Sequence, residues 1–208
     1  MKRTLRVSVL ALMLPSLLAA CSSGAATLSS ASRSATATAS PPSGATHEPA
    51  AAAFASDAYG YTMPLPAGWV GLQAAVAWDG KGSPDHAGPF VDQWVGPAAP
   101  VAWAYAAATS ADLSAYAASR ATAGAAAHPC PAVPETEDAI TVDGEPAILQ
   151  VMHCPANDGI LVMAAYTIHH GVGFDFLYQD RLMHVGEPGE ADDRAAFLAI
   201  LDTISLPE

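Results

Sequence analysis

Two short stretches hold the residues best suited to chemistry, His128-Pro129-Cys130-Pro131 and His153-Cys154-Pro155. Two imidazoles and two thiols make a donor set for borderline and soft cations, so the four residues together describe a copper or zinc site. The same thiols have a second use. In an oxidising compartment an even pair of cysteines forms a disulfide. Joining Cys130 to Cys154 closes a loop of about 25 residues, a constraint of about 3.5 kcal/mol in the chain-entropy account. We expect the disulfide and no bound cofactor. The bridge would bring His128 and His153 near one another, which keeps a metal site as the alternative. His169-His170 adds two imidazoles at a strand end before a glycine turn. Adjacent strand residues point to opposite faces, so this pair is not expected to chelate one ion, and each joins the metal alternative singly.

Catalytic motifs are scarce. The chain contains no G-x-S-x-G elbow, S-x-x-K, G-x-G-x-x-G or P-loop. The acidic run Gly186–Asp193 lacks the D-x-D-x-D-G spacing that wraps calcium, and carboxylates at a helix N-terminus account for it. The stretch Asp79–His86 reads as a turn-rich connection. An enzyme is not expected. The remaining alternative is a hydrolase whose Ser/His/Asp triad assembles only in space.

The third cysteine has a different context. Lys2, Arg3 and Arg6 form a basic head, and residues 7–20 are apolar apart from Ser8, Pro15 and Ser16. That anatomy describes a secretory signal, too short to span a bilayer. Leu18-Ala19-Ala20-Cys21 resembles the bacterial lipobox. The resemblance implies diacylglycerol on the Cys21 sulfur, cleavage after Ala20 and acylation, palmitate included, of the new amino terminus. Removing Cys21 from the three cysteines leaves the even pair Cys130 and Cys154. Each buried methylene contributes about 0.8 kcal/mol, so two or three acyl chains would hold the protein on the extracytoplasmic face of the cell membrane.

Residues 1–20 are thus read as the signal, 21–53 as the lipidated cysteine and a disordered tether, and 54–208 as one domain. The tether is Ala, Ser, Thr, Gly and Pro with few exceptions, and has no apolar period to offset the entropy of ordering. As a coil of about 31 residues it would average roughly 30 Å end to end. The formal charge is −12, and losing Lys2, Arg3 and Arg6 makes it −15. Nucleic acid is therefore excluded as a partner. The bilayer, through acylated Cys21, and an envelope protein are the partners expected.

Within the domain, residues 57–70 read as a short strand and a Pro/Gly turn ending at Trp69. Residues 74–80, 89–96 and 100–107 read as further strands. Ser110 is placed as a helix cap with Asp112 in the first turn, and Leu113, Tyr116, Ala117 and Arg120 follow at helical spacing up to a stop at Gly124. Residues 139–154 form a hairpin about Asp143-Gly144. A second hairpin spans 160–179 with its turn near Gly171-Val172-Gly173, and aligns Phe174, Phe176 and Tyr178 on one face. A last helix opens at Asp192 and Asp193 and carries a stripe of Phe197, Ile200, Leu201 and Ile204. This order predicts an α+β fold, a mostly antiparallel sheet flanked by helices.

On that order, Tyr61–Trp69 ("YTMPLPAGW") resembles the opening of PsbP-like domains and related small bacterial lipoproteins. Phe197–Pro207 ("FLAILDTISLP") is similar to their closing helix. The resemblance implies an α/β/α sandwich and a non-enzymatic binding or assembly role outside the cytoplasm. It carries over no metal ligands and no disulfide. Trp69, Trp78, Trp94 and Trp103 are expected in the core, with an exposed aromatic groove as the alternative.

Overall fold

The computed structural model describes residues 53–97, 100–128, 130–154, 160–180 and 189–208. The signal, Cys21 and the tether as far as residue 52 lie outside these residues, and Ala53, expected in the tether, already belongs to the first strand.

Nearly all the regular structure comes from alternation. Strands β3 (Val70–Leu72), β4 (Asp92–Val95), β5 (Val101–Ala108), β6 (Thr136–Val142), β7 (Glu145–Cys154), β8 (Ile160–His169) and β9 (Val172–Asp180) form one seven-stranded sheet. Its order is β3-β4-β5-β9-β8-β7-β6, and every pairing is antiparallel. A separate two-stranded ribbon pairs β1 (Ala53–Ala55) with β2 (Thr62–Pro64). Helices α1 (Leu113–Ala127) and α2 (Glu190–Leu201) complete the set. The α+β reading therefore stands.

Register fixes what each face carries, because side chains alternate with period two. Ala104, Ala165 and Phe176 are neighbours across β5, β8 and β9, as are Tyr105, Tyr166 and Asp175 one step along. The first set shares its face with Phe174 and Tyr178. Phe197, Ile200 and Leu201 of α2 are buried, and Tyr178 packs on Phe197 with ring centroids 5.4 Å apart. Tyr61, next to β2, joins the same face, its ring edge-on to Phe176 at 5.7 Å and to Trp94 at 5.9 Å. The second set faces α1, which buries Tyr116, Ala117, Arg120 and Ala121. Three of the four tryptophans are core and Trp69 is half-buried against it, so the tryptophans line no exposed groove among the described residues.

Several local expectations are corrected. Residues 74–80 are irregular, not a strand, because their amides bond elsewhere. Ala74 N donates to Asp92 Oδ1, Ala75 N and Val76 N to the Pro89 carbonyl, and Trp78 N to the Tyr59 hydroxyl. Asp112, not Ser110, caps α1, its Oδ1 accepting from Ala115 N at 2.7 Å. The helix runs past Gly124 to Ala127, since nothing crowds that glycine and the run of alanines favours continuation. The β6–β7 turn is Asp143-Gly144, with φ of 51° and 80°. The β8–β9 turn is His170-Gly171 (49° and 79°), one residue earlier than expected, with Val172 and Gly173 already in β9. Both pairs suit the two-residue hairpin turn whose central residues need positive φ.

Candidate functional site: a cavity beneath the first helix

The α1 face is built around a buried ion pair. Asp175, on β9, is fully buried, and an uncompensated carboxylate there would be costly. Tyr116 and Arg120, one turn apart on α1, both reach it. The Tyr116 hydroxyl donates to Oδ1 at 2.6 Å and Arg120 Nε to Oδ2 at 2.6 Å. The other guanidinium nitrogens are also engaged, Nη1 with the Gly82 carbonyl at 2.6 Å and Nη2 with the Tyr105 hydroxyl at 3.2 Å. The guanidinium lies 4.4 Å from the ring centroid of Trp78. Burial pushes the Asp175 carboxyl above its ordinary value, and the Arg120 charge and the Tyr116 hydrogen bond oppose that rise. Burial and the neighbouring carboxylate push the Tyr116 hydroxyl up as well. Gly173 exists for this arrangement: a Cβ there would sit 2.3 Å from the Tyr116 ring.

Beside the ion pair the face stays open, leaving a cavity of about 150 Å³. Its floor is Met152 and Cys154 of β7, Ile160, Val162, Ala164 and Tyr166 of β8, and Leu177 and Gln179 of β9. Its roof is Arg120, Ala121 and Gly124 of α1, where small side chains leave the space unfilled. The Cys130–Cys154 disulfide, with sulfurs 1.98 Å apart, joins the segment after α1 to the end of β7 and lines the cavity. Ser83 and His86 reach it from the connection between β3 and β4, and His128 from the end of α1.

His86 is sandwiched between Trp103, at 4.4 Å between centroids, and His128, at 5.1 Å. The Nε2 atoms of His86 and His128 are both buried without a hydrogen-bond partner. Burial pushes the His86 imidazole down to about 4, and the neighbouring His128 adds to that fall, so the ring is neutral at pH 7.

The sequence-named histidines do not assemble. On β7, Met152 and Cys154 face the cavity, so His153 between them points to the opposite face. There its Nδ1 lies 2.8 Å from Glu135 Oε2. The disulfide thus does not bring His153 to His128. The rings of His169 and His170 are 3.9 Å apart, because His170 lies in the turn and escapes strand alternation. His169 has both nitrogens engaged, Nδ1 with Glu145 Oε1 at 2.9 Å and Nε2 with the Pro207 carbonyl at 2.8 Å. Among the described residues no three His, Cys, Asp or Glu side chains are placed to hold a metal.

Sequence reasoning missed His86, Tyr105 and Asp175 as site residues. Arg120 carried a signal, a charge in the apolar stripe of α1. Asp175 carried another, a carboxylate inside an otherwise apolar strand.

The solution structure of cyanobacterial PsbP (CyanoP) from Synechocystis sp. PCC 6803 matches this architecture with a TM-score of 0.52, over 80% of this chain and 99% of that one. The fold is PsbP-like. Identity is 14%, so the likeness is one of fold, and no residue role passes across. A protein of Bacteroides thetaiotaomicron VPI-5482 aligns over 71% of this chain and 45% of its own at 9% identity, and its TM-score of 0.41 carries no argument. The sequence matches no protein-family model and no curated protein.

Proposed function

We propose that the chain is a non-enzymatic binding module, held through acylated Cys21 on the extracytoplasmic face of the cell membrane, that carries a small ligand between α1 and the sheet. The observation that carries this reading is the cavity with two buried, unpartnered imidazole nitrogens on its wall. Buried polar atoms ordinarily have partners, and an orphan pair at a concavity is where a ligand would supply them. The chemistry around it is that of holding. Arg120 and Asp175 are bound to each other and to neighbouring groups, and the Nε2 of His86 has no hydroxyl to activate although Ser83 lines the same cavity. The lipobox resemblance supports a membrane anchor, and the formal charge of −12 argues against nucleic acid as a partner.

Native mass spectrometry of the lipoprotein gently extracted from its own membranes tests this. We expect a bound adduct on the wild type that is lost from Ala164→Leu, whose side chain fills the cavity. No adduct on either protein would overturn the reading.

A second reading, assembly with an envelope protein, rests on the opposite edge of the fold. Strand β3 is a sheet edge, and its Val70 and Leu72 are 61% and 56% exposed, with Val76 and Phe90 also exposed. An apolar edge invites an added strand. A photo-crosslinker at position 72, used in the native membrane, should capture one dominant protein. Labelling spread over many would count against it.

A further inference from the structure

We infer that the cavity under α1 takes an uncharged molecule with an apolar body about the size of a six-membered ring and a single hydroxyl, seated at the edge of the stacked His86 and His128. The inference rests on the binding reading above and adds the ligand's chemistry.

Size comes first. An apolar cavity of about 150 Å³ is the volume that holds a benzene ring, and this one measures about 150 Å³. Ile160, Val162, Ala164 and Leu177 give it an aliphatic floor. Charge comes next. Each guanidinium nitrogen of Arg120 already donates, to Asp175, the Gly82 carbonyl or the Tyr105 hydroxyl, and both Asp175 oxygens already accept. The two charges compensate each other, so a charged ligand would have to compete with a buried ion pair for its counter-charge. The wall nearest Trp103 offers a neutral imidazole in His86. An anion or a cation would therefore enter desolvated and unmatched.

The polar group follows from the two orphan nitrogens. A neutral imidazole donates from one nitrogen and accepts at the other, according to tautomer. A hydroxyl both donates and accepts. A hydroxyl set at the edge of the stacked pair would accept from the Nε2–H of one ring and donate to the bare Nε2 of the other. An ether or a carbonyl could satisfy only one of the two. A metal ion would use the same atoms, but the two cysteines nearby are oxidised to a disulfide. The donor set is then two imidazoles and the Met152 thioether, without a thiolate or carboxylate.

The test uses the intact protein and four probes of one ring size: phenol, benzene, benzoate and benzylamine, titrated at pH 7 by ligand-observed NMR. Phenol should bind saturably, about tenfold or more tighter than benzene, the ratio one net hydrogen bond supplies. Benzoate and benzylamine should bind at least about tenfold more weakly than phenol. His86→Phe should bring phenol to the level of benzene while benzene still binds, which shows that the variant is folded and the cavity intact. Gly124→Leu, on the open face of α1, should exclude all four. Benzoate or benzylamine binding as well as phenol would overturn the hydroxyl assignment. So would equal binding of phenol and benzene, or displacement of phenol by one equivalent of copper or zinc. An adduct by native mass spectrometry that proves to be charged would overturn this inference and leave the binding reading standing. No adduct together with no probe binding would remove both.

Discussion

The two faces of one sheet each bury a carboxylate and arrive at different interiors. On the α2 side Asp92 is fully buried, and the Tyr61 hydroxyl and Ala74 N donate to its two oxygens at 2.6 Å each. Around it Phe54, Tyr61, Trp94 and Phe176 meet edge to face or tilted and fill the space. On the α1 side Asp175 has a full counter-charge, yet the space next to it stays open. Side-chain volume makes the difference. The roof of one face is Phe197, Ile200 and Leu201, whereas the roof of the other includes Ala121 and Gly124. A charge clamp can hold a helix over a sheet at a spacing its small residues do not fill. The unfilled part becomes a site.

The largest expected effect separates the two carboxylates. Arg120→Ala strands the Asp175 charge and should cost about 3–5 kcal/mol, the range for breaking a buried pair. Asp92→Asn keeps the acceptor for Ala74 N and should cost about 1 kcal/mol, as one altered hydrogen bond does. Urea unfolding at unchanged m-value measures both. The double replacement Arg120→Met with Asp175→Leu should recover most of the loss, because a packed apolar pair avoids desolvating two charges. Equal costs for Arg120→Ala and Asp92→Asn would mean that the clamp is no more than another hydrogen bond.

Much of this contrast was legible in the sequence, though unevenly. Alternation in 145–154, 160–169 and 172–180 gave the hairpins and the Phe174/Phe176/Tyr178 face, because period two is local information. The stripe of α2 was readable for the same reason. Residues 74–80 misled, since Ala, Val and Trp alternate there by composition while their amides bond to Asp92, Pro89 and Tyr59, far off in sequence. The cavity itself was not legible. It depends on which small residues of α1 lie over which of β8, a long-range register that no short pattern encodes. His86 came from a connection that reads only as turn-rich, and packing against Trp103 brings it inside.

Acid should act on the α1 face first. His86 titrates near 4 when folded and near 6.5 when unfolded. Between those values the unfolded chain binds more protons, so stability rises with pH across this window and is lost as pH falls from 6.5 to 4. The full span corresponds to about 3 kcal/mol as an upper bound. His86→Phe should flatten that slope, while a substitution on the α2 face such as Ile204→Val should lower stability without changing it. A slope that survives His86→Phe would assign the acid sensitivity elsewhere.

The finest test lies in two consecutive alanines of β8. Ala164 lines the cavity beneath α1, and Ala165 is neighbour to Phe176 and Leu149 on the filled face. Both are buried, so burial alone predicts the same response to enlargement. Packing predicts otherwise. Ala165→Leu must displace aromatic rings already in contact and should cost about 1–3 kcal/mol, the usual penalty of overpacking. Ala164→Leu adds three carbons to empty space, gains apolar contacts and should cost less than about 0.5 kcal/mol or stabilise slightly. Thermal unfolding of the two variants side by side resolves the difference. If Ala164→Leu is as harmful as Ala165→Leu, the α1 face closes in solution and the contrast between the faces fails. If it is neutral and abolishes phenol binding, the same three carbons have filled a site that the filled face never had.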